Sequence, residues 1–513
     1  YIHSQANNTA TNTNITIAVN SKYSDATSRA YLTGTKNWTI NDNGPSVDFV
    51  STWTLTNSDL SFELPLRNYT NITIEWGDGG STSSHTNGVF PTHTYSSAGT
   101  FTITVTVNDA AKDIGEMYMN GNHASRTLIR TIENWGEGKW ESFAGAFDGA
   151  ANLTIPATSE PDLSLTTSMA VAFSGCTNLV GNTLDDWNTA SVTDMRYLFE
   201  DAISFNGNIS AWNTASVTDM GWMFETAASF DQNINGWNTY AVTNMRHMFN
   251  EASVFNKPIG NWNVSNVTNM QGLFMRASKF NQDIGAWDVS KVTDMHNTFA
   301  AADSFNQAIG NWDVSNVTAA HSMFYNAGVF NQAIGNWNVS SMVNMSNMFA
   351  LARDFNQDIS SWDVSSATNM AYMFYVSEVF NQDLTPWCVS NISSSPSNFS
   401  SNSALAATNL PRWGTCPPLA IITSNITDSS FDINWTSKNQ SSTGYQARTS
   451  LTGNTAYTVI SGTGTSATFS GLASGTQYDF SIRETLPLGE TTHWSLVQTT
   501  TTKFCSSASQ CTY

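Results

Sequence analysis

Paired aspartates are the side chains of this sequence best suited to chemistry. In the stretch NQDIGAWDVS, Asp283 and Asp288 stand five positions apart, and two carboxylates in one cleft are what a glycoside hydrolase uses as acid and base. Such a hydrolase needs its two carboxylates in different environments. The pair recurs in NQDISSWDVS, and copies of one pattern place their carboxylates in similar surroundings. We therefore expect that the chain is not an enzyme.

Other candidate sites also have structural explanations. Asp78 in WGDGG is a possible metal ligand, but an aspartate before glycine is first of all a turn residue. His296 and His321 hold equivalent positions 25 residues apart, yet no third ligand joins them in that register. The sequence contains no glycine-rich phosphate loop, no GxSxG elbow and no HExxH motif. We expect no cofactor, with calcium as the one candidate ion.

The elements that must position these side chains are repeats of 25 residues. Tryptophans recur at this fixed spacing from Trp187 to Trp387, and a period of this length is typical of solenoids. Within one repeat, apolar alternation predicts a strand near Asn261–Ser265. The apolar spacing from Val267 to Ala277 predicts a helix of about two to three turns. One repeat cannot bury its own apolar face, so the repeats must stack on one another.

The residue after each of these tryptophans is polar in every repeat except the last. If tryptophan and valine face inward on a strand, the residue between them points outward. Two interpretations stay open: the side chains bond to one another along the stack, or the column binds a partner protein, a glycan or calcium. The calcium candidates are Asp288, Asp313 and Asp363. The whole column comprises Asn188, Asn213, Asn238, Asn263, Asp288, Asp313, Asn338 and Asp363.

The composition excludes several classes of function. The 513 residues carry a formal net charge of -20, yet only 12% are charged. No basic stripe is therefore available for nucleic acid or for an anionic membrane. No run of about twenty apolar residues occurs, so we expect neither a membrane span nor a signal peptide within these residues.

Cysteines and sequons both suit an extracellular protein. Two short-range pairs, Cys388 with Cys416 and Cys505 with Cys511, predict two disulfides in an oxidising compartment. Cys176, in an apolar column, predicts a buried free thiol. Asn-x-Ser/Thr sequons occur at about the frequency that chance predicts, so they permit N-glycosylation without demonstrating it. The candidates are Asn14, Asn37, Asn68, Asn71, Asn152, Asn208, Asn263, Asn266, Asn316, Asn338, Asn344, Asn391, Asn398, Asn425, Asn434 and Asn439.

Three segments resemble known families. TNITIEWGDGGS followed by THTYSSAGTFTITVTV is similar to PKD domains. Residues 418–503 resemble a fibronectin type III module, with Trp435 in FDINW and the tyrosine-corner spacing of Leu472 and Tyr478. ENWGEGKWESFAGAFDGAANL and repeats such as FNKPIGNWNVSNVTNMQGLFMRAS resemble the BspA-like leucine-rich-repeat surface proteins. That resemblance implies a secreted or cell-surface protein, often linked with adhesion, and brings no catalytic residue.

The predicted fold class is mainly β with short helices: a leucine-rich-repeat-like solenoid flanked by Ig-like β-sandwich domains. We expect an extracellular protein, secreted or at the cell surface, that acts in adhesion or as a structural spacer. Its expected partners are other surface proteins, glycans or copies of itself, without nucleic acid or direct membrane insertion. The alternatives are a subunit of an extracellular filament and the accessory region of a secreted glycan-active enzyme. The predicted segments are an unassigned strand-rich segment (1–47), a PKD-like sandwich (48–115), an N-terminal capping region (116–180), the repeat solenoid (181–405), a disulfide-pinned linker (406–417), a fibronectin type III-like sandwich (418–503) and a cysteine-containing tail (504–513).

Overall fold

A computed structural model describes residues 48–502 except 87, 109–110, 121–122, 182, 418, 437–442, 455, 486–490, 493 and 496. It also gives the backbones of four outlying strands, β1 (Thr16–Ala18), β2 (Thr39–Asn41), β20 (Phe504–Ser507) and β21 (Gln510–Thr512). Strands β1 and β2 pair in parallel. The rest of the predicted strand-rich segment 1–47 lies outside the described residues.

The described residues are mainly β. Their helices are two short 3-10 helices, Ala124–Thr127 and Ala407–Asn409, and no helix in this part of the chain has the length and apolar character needed to cross a membrane. Two compact units are present. The first ends at Val267 and also takes in Arg276–Phe280, and the second comprises Thr268–Met275 and the residues from Asn281 onward.

A β-sandwich lies at the start of the first unit. Strand β3 alternates buried and half-buried residues along its length, so one of its faces enters a core that contains Trp53, Phe62 and Trp76. The sheets have the strand orders β11-β3-β9-β6-β7, β12-β10-β5 and β4-β8. The strands are β3 (Phe49–Leu55), β4 (Ser61–Glu63), β5 (Leu66–Arg67), β6 (Asn71–Glu75), β7 (Ser83–Thr86), β8 (Thr92–Thr94), β9 (Gly99–Val107), β10 (Asp113–Met117), β11 (Ile129–Asn134) and β12 (Lys139–Ser142).

The WGDGG sequence forms a tight turn after β6. Asp78 accepts the N–H of Gly80 through Oδ1 at 3.0 Å, and its Oδ2 lies 2.8 Å from Nε2 of His93. Gly77 has a φ of 78°, and a Cβ there would lie 2.4 Å from the Thr102 carbonyl oxygen. Only glycine fits such a position. Asp78 is therefore a turn residue, as its place before glycine predicts.

Strands β11 and β12 lead from the sandwich into the repeats. Each belongs to a sheet of the sandwich, because β11 pairs with β3 and β12 pairs with β10. On the side toward the repeats, Thr131 of β11 forms a parallel bridge with Thr154. Ring stacking then begins at Phe147, whose centroid lies 5.5 Å from that of Phe173. The predicted capping residues thus connect the sandwich to the array.

Each repeat contains successive turns where a helix was predicted. The N–H groups of Met295, Asn297 and Phe299 donate to carbonyls 24 residues further on, at 2.9, 3.1 and 2.9 Å. Between them, Thr298 donates back to Met295 within its own turn. This alternation requires left-handed residues such as Asn297, with a φ of 59°, and the bonds between repeats offset that strain. The helix prediction is wrong because apolar spacing does not show where the N–H groups point.

The predicted strand near Asn261–Ser265 is also wrong. These residues lie in and between turns, because Oδ1 of Asn263 takes the N–H of Ser265 that a strand would use for pairing. Parallel pairing between repeats is reduced to one bridge, at the residue before the methionine column. These bridges are Ser168↔Asp194, Asp194↔Asp219 and Asp219↔Asn244 in the first unit, and Asn269↔Asp294, Asp294↔Ala319, Ala319↔Asn344 and Asn344↔Asn369 in the second.

The apolar columns of the repeats are buried, as their spacing predicts. Trp362 exposes only 3% of its surface, and its ring centroid lies 6.4 Å from those of Trp337 and Trp387. Its indole N–H donates to the carbonyl of Ile334 at 3.1 Å. The same bond, to a carbonyl 28 residues earlier, occurs at Trp212, Trp237, Trp262, Trp312, Trp337 and Trp387. Tryptophan therefore supplies both the apolar area and a polar bond between repeats.

A second β-sandwich follows the last repeat. Its sheets have the strand orders β13-β14-β17 and β16-β15-β18-β19, with Phe431, Trp435 and Phe480 in the core. The hydroxyl of Tyr478 accepts the N–H of Ala473 at 2.9 Å, so the predicted tyrosine corner is present. The strands are β13 (Leu419–Ser424), β14 (Ser430–Thr436), β15 (Gly444–Leu451), β16 (Thr458–Gly462), β17 (Ser466–Ser470), β18 (Gln477–Thr485) and β19 (Gln498–Thr501).

Candidate functional site

All eight residues of the predicted polar column are exposed, and each one closes a turn. In every case Oδ1 accepts the backbone N–H of the residue two positions further on, at 3.0–3.2 Å. This is an Asx turn, which aspartate and asparagine form equally well. The role is local to each repeat, and it differs from the predicted bonding between side chains along the stack. The column comprises Asn188, Asn213, Asn238, Asn263, Asp288, Asp313, Asn338 and Asp363.

The paired aspartates of NQDIGAWDVS also belong to separate turns. Asp283 accepts the N–H of Gly285 at 2.9 Å, and Asp288 accepts that of Ser290 at 3.1 Å. Hydrogen bonds from the side chain and the backbone of Ser290 hold the pKa of Asp288 below its usual value. Each carboxylate therefore has a structural partner of its own.

The candidate calcium ligands Asp288, Asp313 and Asp363 lie on exposed turns with one oxygen already accepting a backbone N–H. Across the described ranges, no group of three or more His, Cys, Asp or Glu side chains is arranged to hold a metal ion. Calcium prefers six to eight oxygen ligands. A site in this column would have to draw most of them from water or from a partner.

The double substitution Asp288→Asn with Asp313→Asn should leave the free energy of unfolding at pH 7 unchanged within about 0.5 kcal/mol, since an amide oxygen accepts the same N–H. Asp288→Ala with Asp313→Ala should instead lose about 1 kcal/mol for each missing bond. Denaturant unfolding of both variants makes the comparison. A calcium-dependent rise in the melting temperature of the parent, absent from the Asn variant, would show that the column binds calcium.

Asparagines of the FNQ motif form a ladder that sequence analysis missed. Oδ1 of Asn306 accepts the N–H of Asn331 at 3.0 Å and Nε2 of Gln332 at 2.9 Å. The pattern recurs at Asn281, Asn331 and Asn356. In the first unit, Asp231 takes the asparagine position and Lys257 takes the glutamine position one repeat later, and they form an ion pair at 2.7 Å. That coordinated exchange was the signal in the sequence.

The two equivalent histidines are stacked on each other. The ring centroids of His296 and His321 lie 4.3 Å apart, and Nδ1 of His296 lies 2.6 Å from Oδ1 of Asp294. The residue equivalent to Asp294 in the next repeat is Ala319, so Nδ1 of His321 is buried without a hydrogen bond. Burial, with a smaller contribution from the charge of His296, lowers the pKa of His321. The stack therefore resists taking up a second proton.

A short acidic column lies on the first unit. Glu200 and Glu225 hold equivalent positions one repeat apart; Ser174 donates to Glu200 at 3.2 Å, and Asn250 donates to Glu225 at 2.6 Å. Burial raises the pKa of Glu200 to about 7, and the carboxylate of Glu225 adds to the rise. Burial likewise raises the pKa of Glu225. Two half-buried carboxylates at neighbouring positions oppose each other's ionisation.

Glu200→Gln should stabilise the protein at pH 8 by about 1 kcal/mol after discounting for solvent screening. The folded-state pKa of Glu200 lies above the unfolded value near 4.5, so the parent loses stability as pH rises from about 4.5 to 7. Glutamine removes that loss and should have little effect at pH 4.5. Melting temperatures at the two pH values test this. Glu251→Gln, which removes an exposed partner of Arg276, is the matched control and should not stabilise at pH 8.

Cys388 and Cys416 form the predicted disulfide. Cys176 is free and buried, as predicted for its apolar column. The side chains of Cys505 and Cys511 lie outside the described residues; the register of β20 and β21 places the two backbones opposite each other. Their pairing stays a prediction.

The sequons differ in what their side chains already do. Oδ1 of Asn263 and Asn338 bonds to Ser265 and Ser340, and a glycan attached at Nδ2 would leave those bonds in place. Asn266, Asn316 and Asn391 instead donate through Nδ2 to a carbonyl 26 residues earlier, at 2.7–2.8 Å. Asn14, Asn37 and Asn439 lie outside the described residues.

Solved structures similar to this chain match it over a short stretch. The FN1–FN3 domains of chicken CNTN1 share 17% identity over 17% of this chain and 30% of that chain, with a TM-score of 0.16. The fn3 domain of human contactin 1 shares 19% over 18% and 82% of the two chains, with a TM-score of 0.17. The FN3 domain of human collagen XX shares 23% over 18% and 98%, with a TM-score of 0.16. A comparison with curated proteins finds no match.

Three family models match successive parts of the chain. The PKD domain matches residues 46–115, and the fibronectin type III domain matches residues 417–501. The family described as "Mycoplasma protein of unknown function, DUF285" matches residues 167–274, 231–328 and 306–413. The chain thus carries DUF285 repeats between a PKD domain and a fibronectin type III domain, and such domains are typical of surface or adhesion proteins.

Proposed function

We propose that this chain is a non-enzymatic extracellular surface protein whose repeats form a BspA-like, leucine-rich-repeat solenoid. The solenoid acts in adhesion, or as a spacer that holds its flanking domains apart. The observation that carries the proposal is the use of the polar residues: the aspartates and asparagines that recur in each repeat close turns or connect repeats. A surface built in this way is a scaffold with a regular polar face, suited to contact with another surface.

The ends of the array favour a single adhesive molecule over a filament joined end to end. At one end, β11 of the capping region pairs with the PKD sandwich. At the other, residues 397–401 accept hydrogen bonds from Tyr372, Phe374 and Val376 of the preceding repeat. Both ends therefore have their backbone groups covered by the chain itself, and stacking onto a second copy would have to displace these segments.

Display on intact cells tests the proposal. An antibody against the fibronectin type III domain should label unpermeabilised cells that carry the protein, and deletion of the gene should reduce their attachment to a surface or to other cells. Labelling only after permeabilisation would contradict the extracellular assignment. Unchanged attachment would leave the spacer role and remove the adhesive one. Electron micrographs showing this protein as polymeric fibres would instead support the filament alternative.

A further inference from the structure

A cleft in the second unit lies where the last repeat meets the fibronectin type III sandwich. Its volume is about 500 Å³. The repeat side contributes Asp383, Thr385 and Pro386, followed by Thr408 and Asn409. The sandwich side contributes Arg448, Trp494, Ser495 and Val497. This cleft combines a cation, an aromatic ring and several hydroxyl and amide groups, a combination that the repeats themselves do not provide.

The cation is part of a small arginine cluster. The guanidinium carbon of Arg448 lies 4.3 Å from the ring centroid of Trp494 and 4.2 Å from that of Tyr457, and the guanidinium carbon of Arg483 lies 4.6 Å from Trp494. Their Nε atoms donate to Ser481 and Gln446 at 2.7 and 2.8 Å. Aromatic contacts and Nε bonds hold both guanidinium groups in place.

These arginines have no carboxylate partner among the described residues. That is unusual in a chain with 20 Lys and Arg against 40 Asp and Glu. Burial lowers the pKa of Arg483, and the charges of Arg448 and Arg412 lower it further. Two neighbouring guanidinium groups held half-buried and unpaired repel each other, and an anion placed in the cleft would relieve that repulsion.

We propose that this cleft binds the carboxylate of an acidic sugar. A guanidinium presents a fork of N–H donors that matches a carboxylate, and the hydroxyl and amide groups of Thr385, Thr408, Asn409 and Ser495 suit the hydroxyl groups of a sugar ring. The net charge of -20 opposes the approach of a long polyanion. A single uronic acid residue at the end or branch of a glycan therefore fits better than a nucleic acid or a densely sulfated chain.

The inference deepens the proposed adhesive function by naming a class of ligand, but its test uses purified full-length protein and no cells. Isothermal titration calorimetry with sodium D-glucuronate should give a dissociation constant on the order of 1 mM, as expected for one charged contact with a few polar ones. D-glucose and acetate, each carrying half of the proposed ligand, should bind at least about tenfold more weakly. Absence of glucuronate binding would overturn the proposal even if cells lacking the protein adhere poorly.

Two substitutions localise the site. Arg448→Gln should weaken glucuronate binding at least about tenfold, while Arg353→Gln, which removes an exposed arginine paired with Glu378, should leave it unchanged. Asp383→Asn removes a negative charge from the opposite wall and should tighten binding about threefold, since charges within a Debye length of about 8–10 Å interact. Asparagine can keep the turn that Asp383 forms with Thr385, and tighter binding cannot result from misfolding. Equal binding of acetate and glucuronate would overturn the sugar assignment, and an unchanged affinity in both cleft variants would overturn the location.

Discussion

Trp362→Ala is expected to lower the free energy of unfolding of the surrounding repeats by about 3–5 kcal/mol, the usual cost of truncating a fully buried aromatic side chain. Trp362 packs between Trp337 and Trp387, so its loss leaves a cavity that both neighbours share. It also leaves the carbonyl of Ile334 without the indole donor. The effect should therefore spread over three repeats.

Hydrogen exchange measured by mass spectrometry is the suitable readout, because it reports each repeat separately. Protection should fall in the peptides that contain Trp337, Trp362 and Trp387, and it should stay unchanged in the fibronectin type III domain. Trp362→Phe is the control: it retains most of the apolar area but loses the indole N–H, so the loss should be smaller. Protection lost in the mutated repeat alone would contradict stacking as the source of stability.

The period of the sequence correctly predicts which residues form the interior of the repeats. Spacing alone assigns Trp362 and Met370 to buried columns, because a fixed period without insertions places equivalent residues above one another. The local backbone is not predictable in the same way. Asn297 adopts a left-handed conformation because its N–H bonds to the next repeat, and no feature of a single repeat shows where that partner lies.

The polar residues show the same limit. Alternation correctly predicts that Asp288 is exposed, but it does not reveal the bond that Asp288 makes with Ser290. The ladder between Asn306 and Gln332 joins residues 26 positions apart, so it becomes visible only when two repeats are compared. Asp231 and Lys257 are the place where that comparison succeeds, since both positions change together to opposite charges.

The cleft beside the last repeat was not predictable from the sequence. Arg448 and Trp494 belong to separate strands or loops of the second sandwich, and Asp383 lies in the repeats more than sixty residues earlier. A regular pattern identifies a scaffold because its residues recur. A site assembled once, from residues distant in sequence, has no pattern to detect.

The disulfide between Cys388 and Cys416 should contribute about 3–4 kcal/mol to the stability of the end of the array. The two cysteines are separated by 28 residues, and closing a loop of that length in the unfolded chain lowers its entropy by about this amount. The bond also fixes the segment whose Thr415 carbonyl accepts the N–H of Val389 at 2.9 Å. Cys388→Ala with Cys416→Ala should therefore lose protection from hydrogen exchange in residues 384–416 first.

Cys388 occupies the position that holds asparagine or aspartate in the preceding repeats, which supplies a sharper comparison. In Cys388→Asn with Cys416→Ala, the asparagine should close the Asx turn with Ser390, as Asn338 does with Ser340. This variant should regain about 1 kcal/mol relative to the double alanine variant, the usual value of one hydrogen bond. Reduction of the parent with a thiol should reproduce the loss, since Cys176 is already free. If the asparagine and alanine variants unfold at the same denaturant concentration, the turn column does not stabilise the repeats, and its constant polarity must then serve another purpose, such as binding.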